Sequence, residues 1–170
     1  MDFVKGDTVV YGASGVCEIE DIRDISFSHE MPQKYYVMKP LFVKQAQVMY
    51  VPYNNEKCKA KIRPVITKEE ALELIHSIDT TDTDWIEDRI SRKNTYGSMI
   101  TSGDRKDIIQ VINNLYAHQQ RMEDSGKTLN QQDEKMLYEA RHRIDCEFAV
   151  ALGISPDEVV DFILQNAGKT

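Results

Sequence analysis

The pattern of apolar residues changes near residue 66, and this change limits what the chain can fold into. Before that point, short runs of β-branched and aromatic residues are separated by Gly, Pro and Asn, which is typical of antiparallel strands. The runs cover residues 8–11, 16–19, 35–38 and 48–51, and a fifth is expected near residues 61–63. We therefore predict a small antiparallel sheet or barrel of five strands, and a barrel would close its own edges.

From Thr67 onward, the apolar residues follow the period of α-helices. Thr67 and Glu70 have the spacing of a capping box, in which each side chain binds a free backbone N–H at the helix start. Further helix starts are predicted at residues 82–84, Asp104, Asn130 and Ser155. The chain is thus expected to be α+β, with a β domain over residues 1–65 and a compact bundle of about five α-helices over residues 66–170.

The helices predicted after Asp104 and after Asn130 are long and amphipathic. A polar loop over residues 124–128 separates them, so they should pack antiparallel. The apolar positions of the first are Ile108, Ile109, Val111, Ile112, Leu115 and Tyr116, with Gln119 on the same stripe, and those of the second are Met136, Leu137, Ala140, Ile144 and Phe148.

The net charge argues against a protein that binds nucleic acid mainly by charge. The chain has 21 Lys and Arg against 28 Asp and Glu, a net charge of −7, whereas such domains are basic. Residues 1–66 hold 9 basic and 8 acidic residues, and residues 67–170 hold 12 and 20. Residues 85–106 are an exception, with 5 basic and 3 acidic residues, so a local contact with DNA stays possible.

No motif in the sequence predicts catalysis, a metal site or a membrane segment. There is no P-loop, GxGxxG or HExxH motif, and the Gly12–Gly15 segment lacks the spacing of a nucleophile elbow. The three cysteines lack CxxC spacing, and the His142–Cys146 pair has no second pair beside it. No run approaches the roughly 18 apolar residues of a membrane span, and the N-terminus does not have a signal-peptide pattern. We therefore expect a cytoplasmic protein without catalytic residues, metal or cofactor.

The single tryptophan, Trp85, is the residue that most suggests a function. It follows an acidic run over residues 79–84 and is expected in the first turn of a helix. Two roles suit this position: a staple between the helix start and a neighbouring helix, or an exposed wedge that stacks on DNA bases while nearby cations hold phosphates. The residues alone leave both roles open, and they give His29, His76 and His118 no recognisable partner.

Six pieces of sequence occur in a specific order along the chain. They are F-x-x-G-D-x-V-V-Y-x-x-x-G-V from Phe3, V-M-Y-V-P from Val48, Trp85, S-G-D from Ser102, L-Y from Leu115, and L-x-x-x-D-x-K-x-L-x-x-A-R from Leu129. Together they resemble the CarD/CdnL family of bacterial transcription regulators over nearly the whole chain.

The resemblance implies a non-enzymatic transcription regulator that acts on RNA polymerase. Residues 1–65 are expected to form a Tudor/SH3-like β-barrel that binds the polymerase β subunit. Residues 66–170 are expected to contact promoter DNA at the upstream edge of the transcription bubble. The family tryptophan, matched by Trp85, wedges into the minor groove and stabilises the open complex. We expect a monomer that is associated with the nucleoid through RNA polymerase.

The chain departs from the family pattern at two places. Some members carry an arginine close to the position of Tyr50, so we expect docking through the backbone of an edge strand and its neighbouring side chains. The segment between Trp85 and Ser102 is also about one helical turn longer than in those members. The predicted polymerase-binding residues are Met49, Tyr50, Val51 and Pro52, and the predicted DNA-binding residues are Trp85, Arg89, Arg92, Lys93, Arg105 and Lys106.

A second hypothesis keeps the docking role of the β domain and removes the DNA contact. In it, the acidic helical part recruits another protein. Footprinting of a polymerase–promoter complex separates the two, because only the first predicts protection near the edge of the bubble.

Overall fold

The computed structural model describes residues 2–78 and 85–169. The chain divides into two compact units, Met1–Ile66 and Thr67–Thr170. The first unit is built mainly from strands and the second from helices, so the α+β class predicted from the sequence is confirmed.

The first unit holds an antiparallel sheet in the order β4-β3-β2-β1-β5, with five strands among the described residues. The strands are β1 (Thr8–Tyr11), β2 (Val16–Ile25), β3 (Gln33–Pro40), β4 (Met49–Pro52) and β5 (Ile62–Pro64). Within the part of the chain described, no ladder joins β4 to β5, so the hydrogen-bonded sheet has two edges where a closed barrel was expected. Pro52 and Pro64 lack the N–H that a further ladder bond would need.

The core of this unit lies on one face of the sheet and includes Phe3, Val9, Cys17, Ile19, Tyr36, Met38, Val51 and Ile62. Gly15 turns the chain from β1 into β2 with a φ of +75°, a conformation that suits glycine. A short helix, α1 (Glu56–Lys59), precedes β5 and was not predicted. The sequence feature that could have predicted this helix is its N-cap, Asn55. The Asn55 side chain accepts hydrogen bonds from the backbone N–H groups of Lys57 and Cys58.

The second unit contains the helices α2 (Lys68–His76), α3 (Arg89–Ser102), α4 (Arg105–Asp124), α5 (Gln131–Leu152) and α6 (Val159–Asn166). The predicted capping box is present: the N–H of Glu70 donates to Thr67 Oγ1 over 3.2 Å, and the N–H of Thr67 donates to Glu70 Oε2 over 3.0 Å. Asp104 and Asn130 cap α4 and α5 as predicted, each accepting a backbone N–H.

The predicted position of Trp85 in the first turn of a helix is wrong. The predicted start at residues 82–84 lies outside the described residues, and α3 begins only at Arg89. Trp85, expected in the first turn, instead lies in a non-helical segment before it. The N-cap is Asp88, whose carboxylate accepts the N–H of Ser91 over 2.7 Å. Several Asp and Thr residues precede α3, so composition alone could not select Asp88 as the cap.

The apolar stripes of α4 and α5 meet in the core of the helical unit, where the two helices pack against each other and against α3. Ile109, Ile112, Leu115, Ile144 and Phe148 are fully buried there, as their spacing predicted. None of the helices in the described ranges is long and apolar enough to cross a membrane.

Candidate nucleic-acid interface

Trp85 is half-buried just before α3, and three side chains of the described residues lie around its indole. The imidazole of His118 on α4 stacks on the indole, with the ring centroids 3.6 Å apart and the planes at 9°. Tyr96 on α3 meets the indole edge-on, with 6.3 Å between the centroids. The guanidinium carbon of Arg92 lies 4.5 Å from the indole centroid, which is a cation–π distance. Trp85 therefore packs on neighbouring helices and still exposes part of its surface.

Arg92 was predicted to contact DNA phosphate, but the structure gives its guanidinium other partners. Its Nε and Nη2 donate to the two carboxylate oxygens of Asp133 on α5 over 2.9 and 3.0 Å. Its Nη1 donates to the carbonyls of Ile86 and Glu87 over 2.8 and 3.1 Å. Arg92 is 4 % exposed. It fastens the segment that follows Trp85 to α3 and α5, so we assign it a positioning role.

One face of α4 supports this arrangement. Asn114 and His118 are four residues apart and therefore lie on the same side of the helix. The side-chain amide of Asn114 donates to the hydroxyl of Tyr96 over 3.3 Å, and His118 stacks on Trp85. Tyr96 and Asn114 are both buried. The indole thus rests on side chains that two packed helices hold in place.

Three cations line a groove between α3 and the start of α5, and two of them follow Trp85 closely in the sequence. Arg89 and Lys93 line it from α3 and Lys135 from α5, and all three are exposed. Arg89 Nε donates to Gln132 Oε1 over 3.2 Å, and the Gln132 amide donates to the carbonyl of Arg89 over 3.0 Å. The groove has a volume of about 390 Å³, and its cations can reach a polyanion from two helices.

The other two predicted DNA-binding cations lie at the start of α4 and differ from each other. Arg105 Nε and Nη2 both donate to Glu147 Oε1, over 3.1 and 2.6 Å, and Glu147 is buried. This pairing compensates the charge of Arg105. Lys106 is exposed and is the better placed of the two for an external anion.

The predicted polymerase-binding residues lie on β4, the edge strand next to β3. Val51 is buried in the sheet core, whereas Tyr50 is 43 % exposed on the opposite face. Met49 and Pro52 are half-buried. The ring of Tyr50 meets that of Phe27 at a centroid distance of 5.5 Å, which forms an exposed aromatic pair beside the strand edge.

Family models match both units of the chain. The model for the CarD-like/TRCF RID domain matches residues 3–66, and the model for the CarD C-terminal domain matches residues 70–164. The chain belongs to the CarD family. This is a family of transcription factors that interact with RNA polymerase, and its domains are known from non-enzymatic regulators. A comparison with curated proteins finds no match.

Two residues of this CarD-family chain were missed as site residues when only the sequence was considered. Lys135 was part of a motif, but its place opposite Arg89 and Lys93 depends on how α5 packs on α3. His118 had no recognisable partner, because Trp85 is 33 positions earlier in the sequence. Its spacing from Asn114 was the available signal. Within residues 2–78 and 85–169, no group of three or more His, Cys, Asp or Glu side chains could hold a metal ion.

Proposed function

We propose that this chain docks on the RNA polymerase β subunit through β4 and stabilises the promoter open complex with Trp85. The indole wedges into the minor groove at the upstream edge of the transcription bubble. The observation that carries the proposal is the partly exposed indole of Trp85, held against His118, with the exposed cations Arg89 and Lys93 on the helix that follows.

The wedge needs no chemistry to act. Unstacking a base step costs about a few kcal/mol, and a side chain that fills the opened step recovers part of that cost. Because the wedge binds opened DNA better than closed duplex, it shifts the equilibrium toward the open complex. A rigidly supported indole suits this role, since little conformational freedom is lost when it binds.

The proposed phosphate contacts are the exposed cations on either side of the α3–α5 groove, with Lys106 at the start of α4. Arg89, Lys93 and Lys135 line that groove together with Glu139, which pairs with Lys135 across 3.9 Å on the surface. Arg92 and Arg105 are ion-paired with Asp133 and Glu147, and we propose that they hold the surface in shape. The two groups of cations differ for an energetic reason. An arginine that moved from its carboxylate to a phosphate would leave a buried negative charge without a partner, which is costly.

The charge of the helical unit makes tethering through the polymerase part of the proposal. Residues 67–170 carry 12 basic and 20 acidic residues, so the field around this unit opposes DNA overall. Binding of the isolated protein to duplex is expected to be weak and to fall with salt, with a log–log slope of about 0.9 per phosphate contact. Docking on the polymerase supplies the effective concentration that charge does not.

The proposed docking surface is the outer edge of β4 with the exposed pair Tyr50 and Phe27. Strand addition at a sheet edge uses backbone hydrogen bonds and tolerates side-chain changes. That accounts for docking without an arginine near Tyr50. An exposed aromatic pair beside the edge supplies apolar contact area. We propose that one copy of the chain acts on each polymerase.

A second candidate function is an interaction module without DNA contact. Two observations favour it: the acidity of residues 67–170 and the packing of Trp85 on His118. In this case β4 docks on a partner and the helical unit recruits another protein. Footprinting of the polymerase–promoter complex then shows no added protection near the edge of the bubble.

The deciding experiment measures the lifetime of open promoter complexes with Trp85→Ala. We expect a lifetime about tenfold shorter, which corresponds to a loss of about 1.4 kcal/mol, with unchanged binding to the polymerase. Tyr138→Ala is the control, because Tyr138 is an aromatic residue on α5 that is 70 % exposed. A Trp85→Ala protein that stabilises open complexes fully would refute the wedge.

A further inference from the structure

We infer that His118 is a positioning residue for Trp85: its ring fixes the plane in which the indole is presented to DNA. The consequence at the promoter rests on the proposed function of Trp85. The contact itself belongs to the free protein and can be tested without DNA.

The geometry distinguishes His118 from the other neighbours of the indole. Its ring lies parallel to Trp85, with the centroids 3.6 Å apart and a tilt of 9°. Tyr96 is edge-on at 71°, and the guanidinium carbon of Arg92 is farther away, at 4.5 Å. A parallel ring at contact distance restrains rotation of the indole out of its plane, whereas an edge contact restrains only its in-plane position.

His118 lies on a well-packed helix, whereas the segment that carries Trp85 is not helical. Residues 85–87 are non-helical, so no helical ladder orients the Trp85 side chain. His118 stands on α4, whose residues Asn114 and Leu115 are buried one turn earlier. The imidazole therefore links the indole ring to the bundle core, while Arg92 fastens the backbone that follows Trp85.

The surroundings of His118 favour a neutral ring at neutral pH. Burial lowers the pKa of His118, and the charges of Arg92 on α3 and Arg121 on α4 lower it too, while Asp133 on α5 and Glu87 before α3 oppose the decrease. The neutral imidazole stacks without placing a second positive charge beside the Arg92 guanidinium. Protonation would add that charge and weaken the arrangement.

The contact can be measured by fluorescence, because Trp85 is the single tryptophan of the chain. An imidazolium in contact with an indole quenches its emission. The wild-type protein is expected to lose emission as the pH falls, with a midpoint below the ordinary histidine value of about 6.5. His118→Gln should abolish this titration and His142→Gln, on α5, should preserve it. A titration that persists in folded His118→Gln would overturn the contact.

The promoter assay tests whether the contact matters for function. His118→Ala should shorten the open-complex lifetime by about 2- to 10-fold, the range for loss of one aromatic pair, and His118→Phe should restore it. In a Trp85→Ala background, His118→Ala should add no further loss, because it acts through the indole. Circular dichroism of His118→Ala and His118→Gln checks that the helical unit is folded.

The outcomes separate the two proposals. If Trp85→Ala shortens the lifetime while His118→Ala does not, or if the two losses add, the positioning role is wrong and the wedge stands. If Trp85→Ala behaves as wild type, the proposed function fails, and the fluorescence titration alone decides whether His118 holds the indole.

Discussion

Arg92 and Asp133 form a buried ion pair that joins α3 to α5 beneath Trp85. Both carboxylate oxygens accept from the guanidinium, and the side chains are 5 % and 0 % exposed. The amide of Asn130 also donates to Asp133 Oδ2, over 2.7 Å. Nη1 of the guanidinium donates to the carbonyls of residues 86 and 87. The pair thus links the bundle core to the segment that carries the proposed wedge.

Asp133→Ala is expected to lower the free energy of unfolding by about 3–5 kcal/mol, because it leaves the Arg92 charge buried without its partner. Urea denaturation measures this loss. Glu139→Ala is the matched control: Glu139 pairs with Lys135 across 3.9 Å on the surface of α5, and its removal should change stability by less than about 1 kcal/mol. Equal losses of stability in both variants would contradict the importance of the Arg92–Asp133 ion pair for folding.

Tyr50 and Val51 are neighbours on β4 with opposite orientations, so their substitutions should separate docking from folding. Tyr50→Ala is expected to weaken binding to the polymerase β subunit by about 5- to 30-fold, as loss of an interface aromatic does, with little change in stability. Val51→Ala should lower the free energy of unfolding by about 1–3 kcal/mol. Affinity measurements with the β subunit and urea denaturation give the two results. Wild-type affinity in Tyr50→Ala would exclude this face of β4.

Asp88 combines a useful cap with an unfavourable charge. Its hydrogen bond from the Ser91 N–H lowers the pKa of the carboxyl, so the charge persists at neutral pH beside the proposed phosphate contacts. Asn caps helices about as well as Asp. Asp88→Asn should therefore leave the midpoint of urea denaturation unchanged and tighten binding to duplex at low salt. Asp88→Ala, which removes the cap as well, should lower that midpoint. Weaker duplex binding by folded Asp88→Asn would argue against DNA near α3.

Asp145 on α5 should give the helical unit an unusual pH dependence. Burial raises its pKa to about 6, although Arg141, which donates from Nε over 3.1 Å, opposes the increase. The unfolded chain releases this proton at about pH 4. Between these values the folded state binds more protons, so this group's contribution to stability decreases as the pH rises.

The comparison with Asp145→Asn isolates this group, since other titrating residues are common to both proteins. The wild-type free energy of unfolding, minus that of the variant, should fall by about 1–3 kcal/mol from about pH 4 to about pH 7. Urea denaturation across this range measures the difference. A difference independent of pH would mean that Asp145 titrates normally in the folded protein.

The strand runs, the capping box at Thr67 and the stripes of α4 and α5 were predictable because each depends on residues close in sequence. Local periodicity selects the face that is buried, and Ile112 and Leu115 are buried as expected. The start of α3 was less predictable. Several possible caps precede it, and the choice of Asp88 coincides with tertiary bonds from Arg92 to the carbonyls just before it.

The sequence by itself determined the two kinds of structure, the family and the one tryptophan that suggests a function. Only the tertiary structure decided which cations are paired and which side chain holds the indole. Arg92 and Lys93 are adjacent in the sequence, yet one is buried against Asp133 and the other lines an exposed groove. Charge type is encoded locally, whereas burial and pairing depend on residues that meet only when α3, α4 and α5 pack. The large cost of burying an unpaired charge determines which of the two cations takes the interior position.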